Sequence, residues 1–203
     1  MARAVFRDAD FLDTALALAA ERGPAAVTVG AITARLRAPT GSFYHRFISR
    51  NALLGALWLR TVLDFQAGAT AALDAGDGLA AALHTPAWAR EHLDEARLLL
   101  LYDRDDFVQG DWPEELRERV MEMTKRMEAG AARRARVIFG HDGPEERQLA
   151  QFLVASLPVA AVRPYLVRRE PPPAIVDRLI SVTYRAVVAD QVAGAKRGKE
   201  ADV

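Results

Sequence analysis

The sequence predicts an all-α protein, with a small N-terminal three-helix unit followed by a larger helical portion. Three observations carry this. Ala-, Leu-, Glu- and Arg-rich segments dominate the 203 residues, and these are strong helix formers. Apolar residues recur at steps of three and four, with no strand-like alternation. Proline, glycine and cap residues stand where helices must start and stop. The division falls at residue 50, giving domains 1–50 and 51–203.

The first helix is expected over about Asp8 to Arg22, where Phe11, Ala15 and Leu18 repeat at helical spacing. Gly23-Pro24 stops it, since glycine closes a helix and proline does not continue one. Thr28 is a good N-cap for a second helix, whose Ile32 and Leu36 face inward. The turn falls near Arg37-Ala38. Pro39 biases Ala38 away from helical angles and suits the first position of a third helix, about Pro39 to Arg46. Phe11, Ala15, Ile32, Leu36, Phe43 and Phe47 are the expected core of this unit. Ser49 caps a long fourth helix that presents Leu53, Leu54, Leu57, Trp58, Val62 and Phe65 and ends in the turn at Asp74–Gly78.

Leu79 to Leu101 is helical in pattern, and Pro86 is expected to kink it or to open a new helix capped by Thr85. Asp103 to Asp111 reads as a polar loop. Pro113 opens a helix with Glu114 and Glu115 in its first turn, Arg133, Arg134 and Arg136 near its end, and Gly140 as its stop. That charge order suits the helix macrodipole. Pro144 starts the next helix, which Pro158 and Pro164 are expected to bend or end. Pro171-Pro172-Pro173 is a rigid break before a final helix, and the tail from about Gly194 looks frayed.

Composition limits the function classes. The chain is 51% hydrophobic and 27% charged, as in a globular protein with a substantial core. It has no cysteine, which excludes disulfides, thiolate metal sites and a cysteine nucleophile. No apolar run approaches the roughly 18 residues of a membrane span, and MARAVFRDAD lacks the apolar stretch of a signal peptide. A cytoplasmic location without a membrane partner is expected. There are four histidines, no Gly-rich phosphate loop and no Ser-based elbow, so the sequence argues against an enzyme. Asp103, Asp105 and Asp106 lack the spacing and glycine of a calcium loop. His84 and His92 are not at the ligand spacing of a helical metal site. Neither metal nor cofactor is expected. The zero net charge hides an asymmetry. Residues 1–60 hold eight basic and four acidic residues, +4 against −4 for the remainder. Such a split suggests an anionic partner for the basic half.

The stretch ARLRAPTGSFYHRF, residues 34–47, is the most informative in the chain. It reads as the second half of a helix-turn-helix with its recognition helix. Thr40, Gly41, Ser42, Tyr44 and His45 form a small polar face, and Phe43 and Phe47 lie behind it. So short a helix must be pinned by its aromatics for its polar face to press against a partner, and duplex DNA fits best. The segment from about residue 8 to 60 resembles the TetR/AcrR family of bacterial transcriptional regulators. The resemblance lies in Thr28–Ile32, in Thr40-Gly41-Ser42-Phe43-Tyr44-His45-Arg46-Phe47 and in Ser49-Arg50-Asn51-Ala52-Leu53-Leu54. Three departures stand out. The family's turn has glycine where this chain has Arg37, serine or threonine at Pro39, and a basic residue at Thr40. Arg37, Arg46 and Arg50 are nearby cations that can compensate.

The DNA-binding candidates are Thr28, Arg37, Thr40, Gly41, Ser42, Tyr44, His45 and Arg50. Thr40, Ser42 and His45 can bond base edges or phosphates, Gly41 allows close backbone approach, and Tyr44 and Arg50 suit phosphates. Thr28 stands at a helix N-terminus, where backbone N–H groups favour phosphate. The resemblance further implies a pocket for a small, largely apolar effector behind the fourth helix, with His84, Trp88, His92 and Tyr102 as candidate lining. Phe152 and Ser156, with Ile175, Leu179, Val182, Ala186 and Ala189, are the candidate dimerisation residues of an isologous homodimer. A dimer places two recognition helices about one DNA turn apart. The expectation is a repressor released from double-stranded operator DNA by its effector. The alternative is a constitutive DNA-organising protein of the same fold without an inducer.

Overall fold

The computed structural model describes residues 6–108, 110 and 112–201, and Val203, the last residue of the tail expected to fray, lies outside them together with Asp202. Among the described residues there is no strand. Ten α-helices follow one another: α1 (Asp8–Arg22), α2 (Val29–Leu36), α3 (Thr40–Tyr44), α4 (Arg50–Asp74), α5 (Gly78–Glu91), α6 (Leu93–Leu101), α7 (Glu114–Phe139), α8 (Pro144–Gln151), α9 (Leu157–Arg168) and α10 (Ile175–Ala201). Two compact units result. One comprises Met1–Asp64 with Asp94–Glu122, the other Phe65–Leu93 with Met123–Val203.

Local chemistry accounts for most helix ends of the first unit. The Thr28 hydroxyl accepts the Ala31 N–H at 3.1 Å, and the Ser49 hydroxyl accepts that of Ala52 at 3.0 Å. Each satisfies a donor that the first helical turn leaves orphaned. Gly23 ends α1 at φ +85°, an angle glycine adopts freely, and its N–H returns to the Ala19 carbonyl at 2.8 Å. Arg97 of α6 is buried and donates to the Ala20 carbonyl from Nε at 3.2 Å and Nη2 at 3.0 Å. A cation placed on the last carbonyls of α1 meets the negative end of that helix. α1 packs on α2 and α2 on α3. Phe11, Ala15, Ile32, Phe43 and Phe47 are buried as the sequence predicts, while Leu36 is half-buried.

The second unit has a small core of Ala81, Leu153 and Val154, covered by Leu73, Ile138, Phe139, Tyr184, Val187 and Val188. The side chain of Arg90 fixes the triple-proline segment to α5. Its Nε donates to the Pro172 carbonyl and its Nη2 reaches Asp177, each at 2.7 Å. α7 ends at Gly140, as the sequence predicts.

Prolines mark helix ends less faithfully than the sequence suggests. Pro86 neither kinks off nor opens a helix: α5 runs through it, and the chain breaks at His92. Thr85, Pro86, Trp88 and Ala89 are all buried, so packing on both sides of Pro86 holds the helix despite one lost hydrogen bond. Pro158 and Pro164 do not end a helix either. Residues 152–156 widen into a π-helical segment, in which the Leu157 N–H reaches back to the Phe152 carbonyl. Widening the turn moves the proline ring off the carbonyl it would strike in a regular α-helix. Residues Pro144–Arg168 therefore form one continuous helical run, the single helix among the described residues long and apolar enough by composition to cross a bilayer. Pro39 stands outside α3, in extended geometry, as its cap rather than its first residue, and α3 is shorter than the sequence suggests. α10 continues past Gly194 to Ala201.

Candidate nucleic-acid interface

The turn between α2 and α3 is closed by Arg37 at φ +53°, ψ +38°. The Ala38 N–H bonds the Thr33 carbonyl at 2.9 Å and the Arg37 N–H bonds that of Ala34 at 3.2 Å. This is a Schellman-type closure with an arginine in the left-handed position that glycine usually takes. Pro39 then starts α3 by accepting the Ser42 N–H on its carbonyl at 2.9 Å.

α3 is held from behind by three rings. Phe43 is fully buried, and its ring lies 5.9 Å from that of Phe11 in an edge-on contact and 5.7 Å from that of Phe47. Phe11 and Phe47 close the set at 6.3 Å. Such edge-on pairs match ring edges to ring faces and fix direction as well as area. The Phe47 N–H also returns to the Phe43 carbonyl at 3.0 Å, which carries the second aromatic to the same side.

The opposite face is open. Thr40, Gly41, Tyr44 and His45 are exposed, Tyr44 at 56%, and Ser42 is half-buried. Nothing lies within 4 Å of where a side chain on Gly41 would begin. The side chains of Thr40, Ser42 and His45 make no hydrogen bond within the described residues. Ile48, exposed at 66%, adjoins this surface and was not foreseen. Its signal is only an isoleucine between a buried phenylalanine and a helix cap.

The positive surplus of the N-terminal segment has a specific distribution. Arg7 pairs with Asp10, Arg46 with Asp8, Arg60 with Asp13, and Arg35 clasps Glu21 through two bonds of 2.8 and 2.9 Å. All four carboxylates of residues 1–60 are thus engaged. The bond to Glu21 raises the Arg35 pKa above its ordinary value, and the backbone N–H of Arg7 lowers that of Asp10. The sequence assigns Arg50 to phosphate, but the structure turns its guanidinium inward. Nε donates to the Val27 carbonyl, Nη2 to that of Pro24 at 2.7 Å, and Nη1 to Asn51. Arg50 braces the loop that sets the start of α2. Thr28 stays exposed there while capping that helix.

Three of the four candidate effector residues come together in the second unit. Trp88 stacks on His92 at 5.3 Å, and Phe65 joins the row at 5.0 Å from Trp88 and 5.2 Å from His84. His84 Nε2 lies 2.7 Å from the Phe65 carbonyl. Tyr102 belongs to the first unit, where it packs against Phe107 and over Gly23. The seven candidate dimerisation residues are all exposed: Phe152, Ser156, Ile175, Leu179, Val182, Ala186 and Ala189.

A short helix propped on buried aromatics, with Thr40, Ser42 and His45 side chains that make no hydrogen bond among the described residues and a turn packed on a preceding helix, is the arrangement of a DNA-binding helix-turn-helix. Residues 11–57 match the family described as bacterial regulatory proteins, tetR family. The N-terminal segment is thus similar to that family's DNA-binding domain, and the match supports a DNA-binding transcriptional regulator. No curated protein matches it.

Proposed function

We propose that the chain is a homodimeric repressor that leaves its operator when a small apolar or amphipathic effector binds the second unit. The observation that carries the reading is the α3 face, where the Thr40, Ser42 and His45 side chains have no hydrogen-bond partner among the described residues. Base edges in the major groove supply matching donors and acceptors. The exposed apolar stripe on α10, with Leu179 and Val182 more than half exposed, supports pairing with a second copy, which supplies the second half-site. The row of Phe65, His84, Trp88 and His92 supports an effector with apolar or aromatic surface. Release requires only that the effector favour a subunit arrangement that fits the operator less well. The reading involves no catalytic step, metal, cofactor or membrane, and places the protein in the cytoplasm.

The test is DNA binding by gel shift or fluorescence anisotropy, with duplexes from the intergenic region beside its own gene. Tight, salt-sensitive binding is expected, weakened about tenfold or more by Tyr44→Ala. Apolar compounds that bind the protein are expected to lower the affinity for DNA. Absence of binding to every such duplex contradicts the reading, and DNA binding indifferent to all bound compounds removes the effector from it.

A further inference from the structure

Residues 28–47, the whole helix-turn-helix, hold three arginines and no carboxylate. Arg35 is clasped by Glu21 and Arg46 is paired with Asp8. Arg37 is exposed, and its side chain has no hydrogen bond or ion pair within the described residues. It is also one of two non-glycine residues at positive φ among the described residues, at +53° beside Arg169 at +60°, and the one that lies in the helix-turn-helix. An L-residue with a long side chain is disfavoured there, and glycine would close the same turn without strain. α3 itself carries no lysine or arginine among Thr40–Tyr44. The local energetics thus disfavour this residue at this position, and the recognition helix lacks a cation of its own. Strain at a residue without an internal reason for it points to an external contact.

We propose that Arg37 is a phosphate anchor built into the turn, which supplies the charge that the recognition helix lacks. The turn lies immediately before the N-terminal end of α3, the end that enters the groove in helix-turn-helix proteins, so it passes the phosphate backbone at the groove's edge. An exposed guanidinium there can take two phosphate oxygens at once. The anchor fixes register and contributes affinity without reading sequence, while Thr40, Ser42 and His45 are left to meet the bases. The proposal rests on the DNA-binding reading of this surface and adds a named residue with a named partner.

The experiment compares wild type with Arg37→Gly and Arg37→Lys by fluorescence anisotropy over a range of salt concentrations. The probes are a short mixed-sequence duplex and intergenic duplexes from beside the gene, and thermal melting is measured in parallel. Arg37→Gly is expected to melt no lower than wild type, because the turn loses its strain. Its affinity is expected to fall about tenfold or more on both kinds of duplex. The salt dependence should become shallower by about 0.9 in log–log slope per anchor, about 1.8 for a dimer on two half-sites. Arg37→Lys is expected to restore most of the slope. Arg37→Gly that binds both duplexes as wild type does, with an unchanged slope, overturns this proposal alone. Failure of wild type itself to bind any duplex overturns the DNA-binding reading and this proposal with it. A lower melting point for Arg37→Gly with unaltered binding assigns Arg37 to the fold and also overturns it.

Discussion

Replacing Phe43 by alanine tests whether the recognition helix depends on its aromatic support. The ring is fully buried and touches three others, that of Tyr44 at 5.3 Å and the buried rings of Phe47 and Phe11 at 5.7 and 5.9 Å. Truncating a buried Phe to Ala costs about 3–5 kcal/mol, from lost transfer energy and the cavity left behind. The contacts with the buried rings of Phe11 and Phe47 account for about 1–3 kcal/mol of that. A protein of this size has a total stability of about 5–15 kcal/mol, so the variant loses a large fraction of it. At about 2–4 °C per kcal/mol for a chain of this length, the expected fall in melting midpoint is about 6–20 °C. Phe43→Leu keeps most of the volume and should cost less than about 1.5 kcal/mol. Calorimetry measures the melting points, and DNA anisotropy well below them measures function. With a five-residue helix, there is too little local helix stability to hold α3 in place without the ring. DNA affinity should therefore fall for Phe43→Ala even where the rest of the protein is folded. A Phe43→Ala variant that melts within about 2 °C of wild type and binds DNA normally would refute the argument.

Two further outcomes follow from the second unit. Leu179 is 57% exposed, and full burial of a leucine is worth about 1.5–3 kcal/mol. Covering the remainder in both copies is then worth about 2–3.5 kcal/mol, so Leu179→Ala should weaken a dimer by about 30- to 300-fold. Light scattering across a dilution series measures this, and Leu179→Glu should give monomers. A dimer indifferent to both places the interface elsewhere. Glu146 is buried, and its own backbone N–H, then the Gln191 amide at 2.9 Å, hold its pKa below the ordinary glutamate value. A depressed folded-state pKa means that the stabilisation is present above the ordinary glutamate range and is lost as pH falls through the lower, folded value. Melting curves at falling pH should show wild type losing more stability than Glu146→Gln over that window. Parallel losses would assign the acid sensitivity to other groups.

What the sequence made legible and what it hid divide along a physical line. Helix ends written by single residues were readable. Gly23, Thr28, Ser49 and Gly140 act through their own backbone angles or hydroxyls, and such chemistry needs no distant partner. The buried side of α3 was readable too, since two phenylalanines four apart, one in the short helix and one just past it, have few ways to be covered. The prolines misled because their effect depends on what surrounds them. Buried neighbours hold α5 together through Pro86, and a widened turn accommodates Pro158. Pairings distant in sequence were hidden. Nothing in ARLLLL announces that Arg97 caps α1 across 77 residues of chain. The count of +4 was right as a sum but silent on which arginines stay free.

That pairing pattern says what kind of DNA affinity the molecule is built for. Exposed ion pairs add little stability, about 0–1 kcal/mol each, so four of them along α1 and its neighbours do little for the fold. They do cancel charge. With Arg7, Arg35, Arg46 and Arg60 each beside a carboxylate, and Arg50 turned onto backbone carbonyls, the positive field of the helix-turn-helix narrows from a diffuse patch to a few points. A diffuse patch holds any duplex, because phosphate attraction is blind to sequence. A few fixed cations beside a neutral polar helix shift the balance. Position then comes from those points, and discrimination from hydrogen bonds to bases. Weak attachment to arbitrary DNA is useful to a regulator that must find one site among a great many competitors, and arginines neutralised in place are one way to supply it without removing them from the sequence.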